Sequence, residues 1–211
     1  MSARKSAVDS YYHVFNRGVD KRVIFPSQVD IERFAECMVA FNTENPIGSL
    51  FELRFQKFTK NKKSKKLVDI VCFCLNPNHF HFLLRQNSEM GMSEFMKRLS
   101  SGYTQYFNRK YGRSGVLFQG KYKSTLITTN EQLLHVSVYI NLNNKVHRLG
   151  NQIIKSSWDE FSSGKDGMCS KNIILSQFDD PSEYCEFAKA SLLDILERKD
   201  SDKELRTALL E

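Results

Sequence analysis

Residues 67–84 constrain the fold more than any other part of the chain, because they hold a nearly continuous series of apolar and aromatic side chains. The sequence Asn-Pro-Asn at 76–78 interrupts this series, which resumes at His79 with the period of two typical of a sheet. In that alternation His79 and His81 share one face, with Cα atoms about 6.6 Å apart, and Phe80 faces the core. The stretch therefore predicts an interrupted central strand that presents two histidines.

Segments of strand and helix character alternate around this stretch. Their order, β-α-β-β-α-β-α, predicts an α+β fold, in which a ferredoxin-like βαββαβ antiparallel sheet carries an added helix and a C-terminal helical extension. The lysine-rich run at 60–66 is predicted as the tip of a hairpin that joins residues 49–58 to 67–75. The predicted elements are strands over 11–18, 49–58, 67–84 and 116–128, and helices over 27–45, 93–111 and 130–142.

Charge divides the chain into two parts. Residues 1–150 carry 23 Lys and Arg against 11 Asp and Glu, whereas residues 151–211 carry 8 against 13. A basic body is typical of a protein with a polyanionic partner, most often nucleic acid, although a solubilising surface is the alternative interpretation. We therefore predict a domain over 1–150 and an acidic C-terminal extension over 151–211, with a last helix that begins at Pro181.

Composition favours a globular protein of the cytoplasm. Hydrophobic residues make up 41% and charged residues 26%, and no apolar stretch is long enough to span a membrane. No export signal follows Met1. The five cysteines form an odd set without regular spacing, which indicates free thiols in a reducing compartment.

The predicted third helix offers further polar groups to the histidine strand. Tyr139 and Asn143 are four residues apart and share a helix face, so a hydroxyl and a carboxamide could reach His79 and His81 together. Solvent-facing histidines, a half-buried core tyrosine and a helix-capping asparagine are the alternatives. Cysteines at 72 and 74 raise a further alternative, a zinc site with the two histidines, but their spacing is unusual for zinc.

Four motifs in this order carry a resemblance to a known family. They are NHFHFLL at 78–84, YFNRKYG at 106–112, LFQGKYKS at 117–124 and YINLNN at 139–144. From about residue 11 to residue 150 the chain resembles the single-tyrosine HUH transposases, the group that includes the REP-associated tyrosine transposases.

The resemblance implies a set of site residues. His79 and His81 match the histidine ligands of a divalent metal, Mg²⁺ or Mn²⁺, and Asn143 matches the amide that completes the metal site. Tyr139 matches the nucleophile, which would form a 5′-phosphotyrosine link to DNA. Attack by the phenol requires either a lowered pKa of Tyr139 or a base that takes its proton at the moment of transfer. His135 is a candidate base, and a solvent-facing helix histidine is the alternative interpretation.

The predicted function is that of a transposase, a metal-dependent strand transferase that binds hairpins in single-stranded DNA. The alternatives are a non-catalytic ferredoxin-like nucleic-acid-binding module and an RNA-processing endonuclease. Whether the protein acts as a monomer or a homodimer stays open. The predicted DNA-binding residues are basic and lie among aromatic side chains that could stack on bases: Arg98, Arg109, Lys110, Arg113, Lys121 and Lys123.

Overall fold

The computed structural model describes residues 7–45, 47, 48, 50 and 64–208 of the chain. Within these residues, none of the helices is long and apolar enough to cross a lipid bilayer. The elements, in chain order, are β1 (Tyr11–Arg17), α1 (Gln28–Ala40), β2 (Val68–Asn76), β3 (His79–Gln86), α2 (Gly91–Lys110), β4 (Lys123–Ile127), α3 (Asn130–Asn141), α4 (Asn143–Val146), β5 (Lys155–Ser156), α5 (Trp158–Ser162), α6 (Asn172–Leu175) and α7 (Pro181–Ala208).

The strands form one five-stranded sheet in the order β4-β1-β3-β2-β5, and all neighbours are antiparallel. The first four strands, with α1 and α2 between them, have the ferredoxin-like topology predicted from the sequence. β3 lies at the centre, and its register with β1 places Phe15 opposite His81. The predicted α+β fold is therefore confirmed.

Residues 67–84 differ from the prediction, because they form two strands instead of one interrupted strand. β2 ends at Asn76, Pro77 and Asn78 make a turn, and β3 returns antiparallel with His79 opposite Asn76. Apolar periodicity is the same whether a chain continues or reverses, so the pattern alone does not reveal the reversal. The predicted strand over 49–58 and the predicted hairpin tip up to residue 63 lie outside the described residues, apart from the buried Leu50.

The fourth strand is shorter than the predicted range 116–128. β4 covers only Lys123–Ile127, and Phe118 makes an isolated bridge to Gly18. Gly120 has a φ of 66°, a left-handed conformation that interrupts an extended chain and that glycine adopts without steric cost. In the part of the predicted strand that precedes β4, strand pairing is therefore limited to this single bridge.

Local capping explains where the helices begin. The side chains of Ser27 and Asp30 form a capping box at the start of α1, as the position of Ser27 predicts, but the helix ends at Ala40 instead of continuing to residue 45. At the start of α3 the cap is Thr129, whose hydroxyl accepts a hydrogen bond from the backbone of Gln132 at 3.1 Å.

The sheet separates two apolar cores. Alternate strand residues such as Phe80 and Phe82 pack against α1 and α2 and are fully buried. The opposite face carries the histidines and packs, through residues such as Cys72 and Leu83, against α3 and the C-terminal helices. The period of two therefore places the polar pair on the face that α3 covers.

Residues after 150 pack onto the same sheet. β5 pairs with β2, and Phe161 and Tyr184 are fully buried in the second core. Residues 158–162 form the short helix α5, where the sequence resembles a loop, and α7 extends to Ala208. All five cysteines are free, as predicted.

Candidate active site

The two strand histidines lie side by side at the start of β3. Their ring centroids are 5.2 Å apart and their planes are perpendicular. Tyr139 on α3 approaches them, with its ring centroid 5.6 Å from that of His81, and Asn143 begins the next short helix. The structure thus brings together the four residues that the sequence predicts for the metal site and the nucleophile.

Hydrogen bonds fix the orientation of His79. Its Nδ1 lies 2.6 Å from Oδ1 of Asn78, an acceptor, so Nδ1 carries the proton and Nε2 keeps its lone pair. Nε2 lies 3.2 Å from Oδ1 of Asn143 and 2.9 Å from Nδ2 of Asn76. The same Asn76 amide donates to Oδ1 of Asn143 at 2.7 Å, so it holds both acceptor atoms close to each other.

His81 is oriented by a third histidine, His13 of β1. Nδ1 of His81 lies 2.8 Å from Nε2 of His13, and the two rings are stacked at 5.1 Å. When Nδ1 of His81 donates this hydrogen bond, its Nε2 is left with a lone pair for a cation. His13 therefore supports the tautomer of His81 that a metal site requires.

Burial keeps the imidazoles of the site neutral. It lowers the pKa of His13 to about 4 and lowers the pKa of His79, against the effect of the Asn143 amide. The pKa of His81 falls well below its ordinary value, first through burial and then through the neighbouring imidazoles. His147, whose ring lies 5.3 Å from that of His79, also has its pKa lowered to about 4, chiefly by burial. Only a neutral imidazole can donate a lone pair to a metal ion.

Tyr139 is a neutral phenol at pH 7. Burial raises its pKa, and interaction with the Asn143 amide opposes this increase. A nucleophilic role therefore requires that the proton leave during the reaction. His135, the candidate base, is exposed, and its ring contacts Phe187 on α7; it is not among the residues that line the cleft described next.

A cleft of about 600 Å³ opens in front of these residues. His79, His81 and Tyr139 lie on its wall, and Phe15, stacked on His81 at 5.5 Å, presents an aromatic surface. Its cationic side chains are Arg17, Lys21 and Lys123. The cleft therefore combines cations for phosphate groups with an aromatic ring on which a base could stack.

The six cations predicted to bind DNA lie on different parts of the surface. Lys123 lines the histidine cleft, and Lys121 is exposed two residues before it. Arg98, Arg109 and Lys110 line a separate cleft between α1 and α2, on the other side of the sheet.

Three of these cations have partners within the protein. The guanidinium of Arg98 donates to Glu94 at 2.8 Å and to the carbonyl of Thr43 at 2.7 Å. Lys110 donates to the buried carboxylate of Asp30 at 2.7 Å. Arg113 donates to the side chain of Asn108 at 3.0 Å. These bonds fix the cations to the protein and reduce what each could gain from a phosphate.

A divalent metal fits the donor atoms of the site. Nε2 of His79 and Oδ1 of Asn143 are 3.2 Å apart, close to the roughly 3 Å that separates neighbouring ligands around an octahedral ion at about 2.1 Å. In the part of the chain described above, no group of three or more His, Cys, Asp or Glu could hold a metal. Asn143 would complete the ligand set with His79 and His81, as the resemblance implies, and within the described residues the alternative of a zinc site with Cys72 and Cys74 has no support.

Sequence reasoning missed His13, Asn76 and His147. His13 and Phe15 are two residues apart on β1 and therefore share one face of the sheet. Once β1 is paired with β3, as the ferredoxin-like order requires, His13 can be placed beside the two histidines of β3. In the sequence, Asn76 is recognisable only as part of the Asn-Pro-Asn interruption at 76–78. His147 follows α4, and no periodic pattern connects it to the histidine pair.

The fold and this arrangement of a strand His-x-His pair, a helix tyrosine and a following amide are those expected of the single-tyrosine HUH transposases. The chain matches the family described as "Transposase IS200 like" over residues 7–143, and it belongs to this family.

The fold is also similar to a solved structure described as a REP-associated tyrosine transposase bound to a REP hairpin. The TM-score is 0.50 at 12% sequence identity, over 80% of this chain and 88% of the other. No curated protein matches the chain. The resemblance predicted from the four motifs is confirmed.

Proposed function

We propose that the protein is a metal-dependent DNA strand transferase that binds hairpins in single-stranded DNA and, beside them, cleaves and rejoins strands through Tyr139. The observation that carries this proposal is the convergence of Tyr139, His79 and His81 on the wall of one cleft, with Oδ1 of the buried Asn143 3.2 Å behind Nε2 of His79. Membership of a transposase family supports DNA as the substrate, and the fold neighbour bound to a hairpin supports the hairpin.

In the proposed reaction, the Tyr139 oxygen forms a bond to the scissile phosphorus while the bond from phosphorus to the 3′ oxygen breaks. The phenol proton is lost, and the leaving 3′ oxygen gains a proton to become a hydroxyl. The 5′-phosphotyrosine link conserves the phosphodiester for rejoining. His79, His81 and Asn143 would hold a Mg²⁺ or Mn²⁺ ion, which when bound polarises a phosphate oxygen.

The other residues of the cleft have supporting roles in this proposal. His13 keeps the orientation of His81, and Asn76 keeps His79 and Asn143 together. Lys123, with Arg17 and Lys21, binds the phosphates beside the scissile bond. We assign DNA binding and catalysis to residues 1–150 and expect the protein to act in the cytoplasm.

The test is a search for a covalent protein–DNA adduct. The protein is incubated with single-stranded hairpin DNA from the flanks of its gene, in Mg²⁺ or in EDTA, and separated by denaturing electrophoresis. We expect an adduct with Mg²⁺ that maps to the peptide of Tyr139 and is absent with EDTA. Hairpin binding without an adduct would favour the binding module, and cleavage of the matching RNA hairpin but not of the DNA hairpin would favour the RNA endonuclease.

A further inference from the structure

Buried hydrogen bonds join α3 to the C-terminal helices. Tyr184 of α7 is fully buried, and its hydroxyl lies 3.1 Å from Oγ of Ser137 and 3.1 Å from Nδ2 of Asn141, both on α3. Ser137 and Asn141 are themselves fully buried. A residue of the extension therefore bonds to two successive turns of the helix that carries Tyr139.

The bonds continue from α3 to the sheet. Oδ1 of Asn141 accepts from Oγ of Ser157 at 2.6 Å, and Oγ of Ser157 accepts from the backbone of Phe73 on β2 at 2.9 Å. Ser157 is the residue before α5, so it too belongs to the extension. The extension thus connects α3 to the strand beside the histidine strand.

One arrangement of protons satisfies every bond of this network. Ser137 donates its hydroxyl proton to the carbonyl of Leu134 at 2.7 Å, so it accepts from Tyr184. The Tyr184 oxygen in turn accepts from Asn141, whose Nδ2 can only donate. Because hydrogen bonds depend on distance and angle, the network restrains both the rotation and the height of α3 against the sheet. Apolar packing alone is non-directional and specifies neither.

The network lies behind Tyr139. At 100° per residue, Tyr139 is rotated by about 200° from both Ser137 and Asn141, which places it on the opposite side of α3. The extension also holds the segment after α3, since Lys199 donates to the carbonyl of Val146 at 2.6 Å and Asp200 pairs with Arg148. That segment begins with the amide ligand Asn143.

We propose that the C-terminal extension positions the nucleophile, with Tyr184 as the central positioning residue. This inference rests on the proposed role of Tyr139. Without the Tyr184 hydroxyl, Ser137 loses a donor and Asn141 an acceptor, so α3 can shift while its apolar contacts remain. A shift of about 1 Å at a nucleophile can slow a reaction by about a hundredfold.

The test compares Tyr184→Phe with Ile174→Val in the full chain. Ile174 is fully buried in the same core, so its variant removes a methylene group from the core without touching the network. Denaturation midpoints establish that both variants fold with similar stability. Adduct formation is then measured in single turnover at saturating hairpin DNA and Mg²⁺, and amide hydrogen exchange is measured over α3.

We expect Tyr184→Phe to form the adduct between tenfold and a hundredfold more slowly, with unchanged hairpin affinity and faster exchange in α3. Ile174→Val should behave as the parent protein in all three measurements. Equal rates and equal α3 exchange in both variants would overturn the positioning role. If the parent forms no adduct, the proposed function fails, and the exchange comparison still decides whether Tyr184 orders α3.

Discussion

Asp30 provides a quantitative test of how the first core is held together. Its side chain is fully buried at the start of α1, yet it is ionised and accepts five hydrogen bonds. These come from the backbone and the hydroxyl of Ser27 at 3.0 and 2.6 Å, from Tyr106 at 3.0 Å, from Tyr111 at 2.7 Å and from Lys110 at 2.7 Å. The carboxylate therefore ties the beginning of α1 to the end of α2.

Asp30→Asn keeps the size of the side chain and removes its charge. The amide nitrogen replaces an acceptor with a donor, so at least two of the hydrogen bonds are lost. A hydrogen bond to a charged group contributes about 1.5–3 kcal/mol, and Lys110, with a side chain 32% exposed, can recover some of its hydration. We expect the free energy of unfolding at pH 7 to fall by about 2–4 kcal/mol.

The loss should depend on pH in a defined direction. Burial alone would raise the pKa of Asp30, but the hydrogen bonds from Lys110, Ser27 and the tyrosines outweigh it and lower the pKa. The stabilisation is therefore complete above the unfolded-state pKa of about 3.9 and is lost as the pH falls through the folded-state pKa. The stability difference between parent and variant should shrink in acid.

Urea denaturation of both proteins between pH 7 and pH 3 measures this difference. Glu36→Gln is the control, because Glu36 is an exposed carboxylate paired with Arg33 at 3.2 Å, and its loss should change stability by less than about 1 kcal/mol. An Asp30→Asn loss below about 1 kcal/mol, or one that is the same at every pH, would refute the reasoning.

Three further predictions concern the cleft. Tyr139→Phe should abolish the adduct, measured by denaturing electrophoresis, and should lower the free energy of unfolding by only about 1 kcal/mol, measured by denaturation. Asn143→Ala should still form some adduct at high Mn²⁺ in the same electrophoresis assay. A mixture of His81→Ala and Tyr139→Phe chains should form no adduct, because Tyr139 lies beside His81 of its own chain; recovered adduct would show that α3 exchanges between chains. Lys123→Ala should weaken hairpin binding and reduce the slope of log affinity against log salt concentration by about 0.7, as measured by fluorescence anisotropy. Arg98→Ala should change this slope little, because the guanidinium of Arg98 is already bonded within the protein.

The periodicity of apolar residues was sufficient to predict those features of the fold that depend on a single chain segment. A period of two placed His79 and His81 on one face of β3, and Phe80 between them in the core, as the structure confirms. The turn at residues 77 and 78 was not predicted, because a reversal depends on which strands pair, and strand pairing is not encoded in the periodicity of a single segment.

The position of α3 against the sheet is a further property that the sequence pattern of one segment does not predict. The sequence places Tyr139 and Asn143 one turn apart on a continuous helix, but the helix breaks at Leu142, whose φ and ψ are −108° and 20°, and Asn143 begins a new turn. Its side chain reaches His79 because that turn is packed against β2 and held by the extension.

The acidic charge of residues 151–211 separates them from the basic body in the sequence, yet their buried side chains complete the second core. Tyr184 and Phe161 are fully buried there, and Ser157 bonds to β2. Net charge describes the surface that a segment presents to its partners and says nothing about which of its side chains are buried. Removal of this segment would therefore expose the side of α3 opposite Tyr139. Truncation near residue 150 should for that reason impair folding and cleavage together, whereas Tyr184→Phe should separate them.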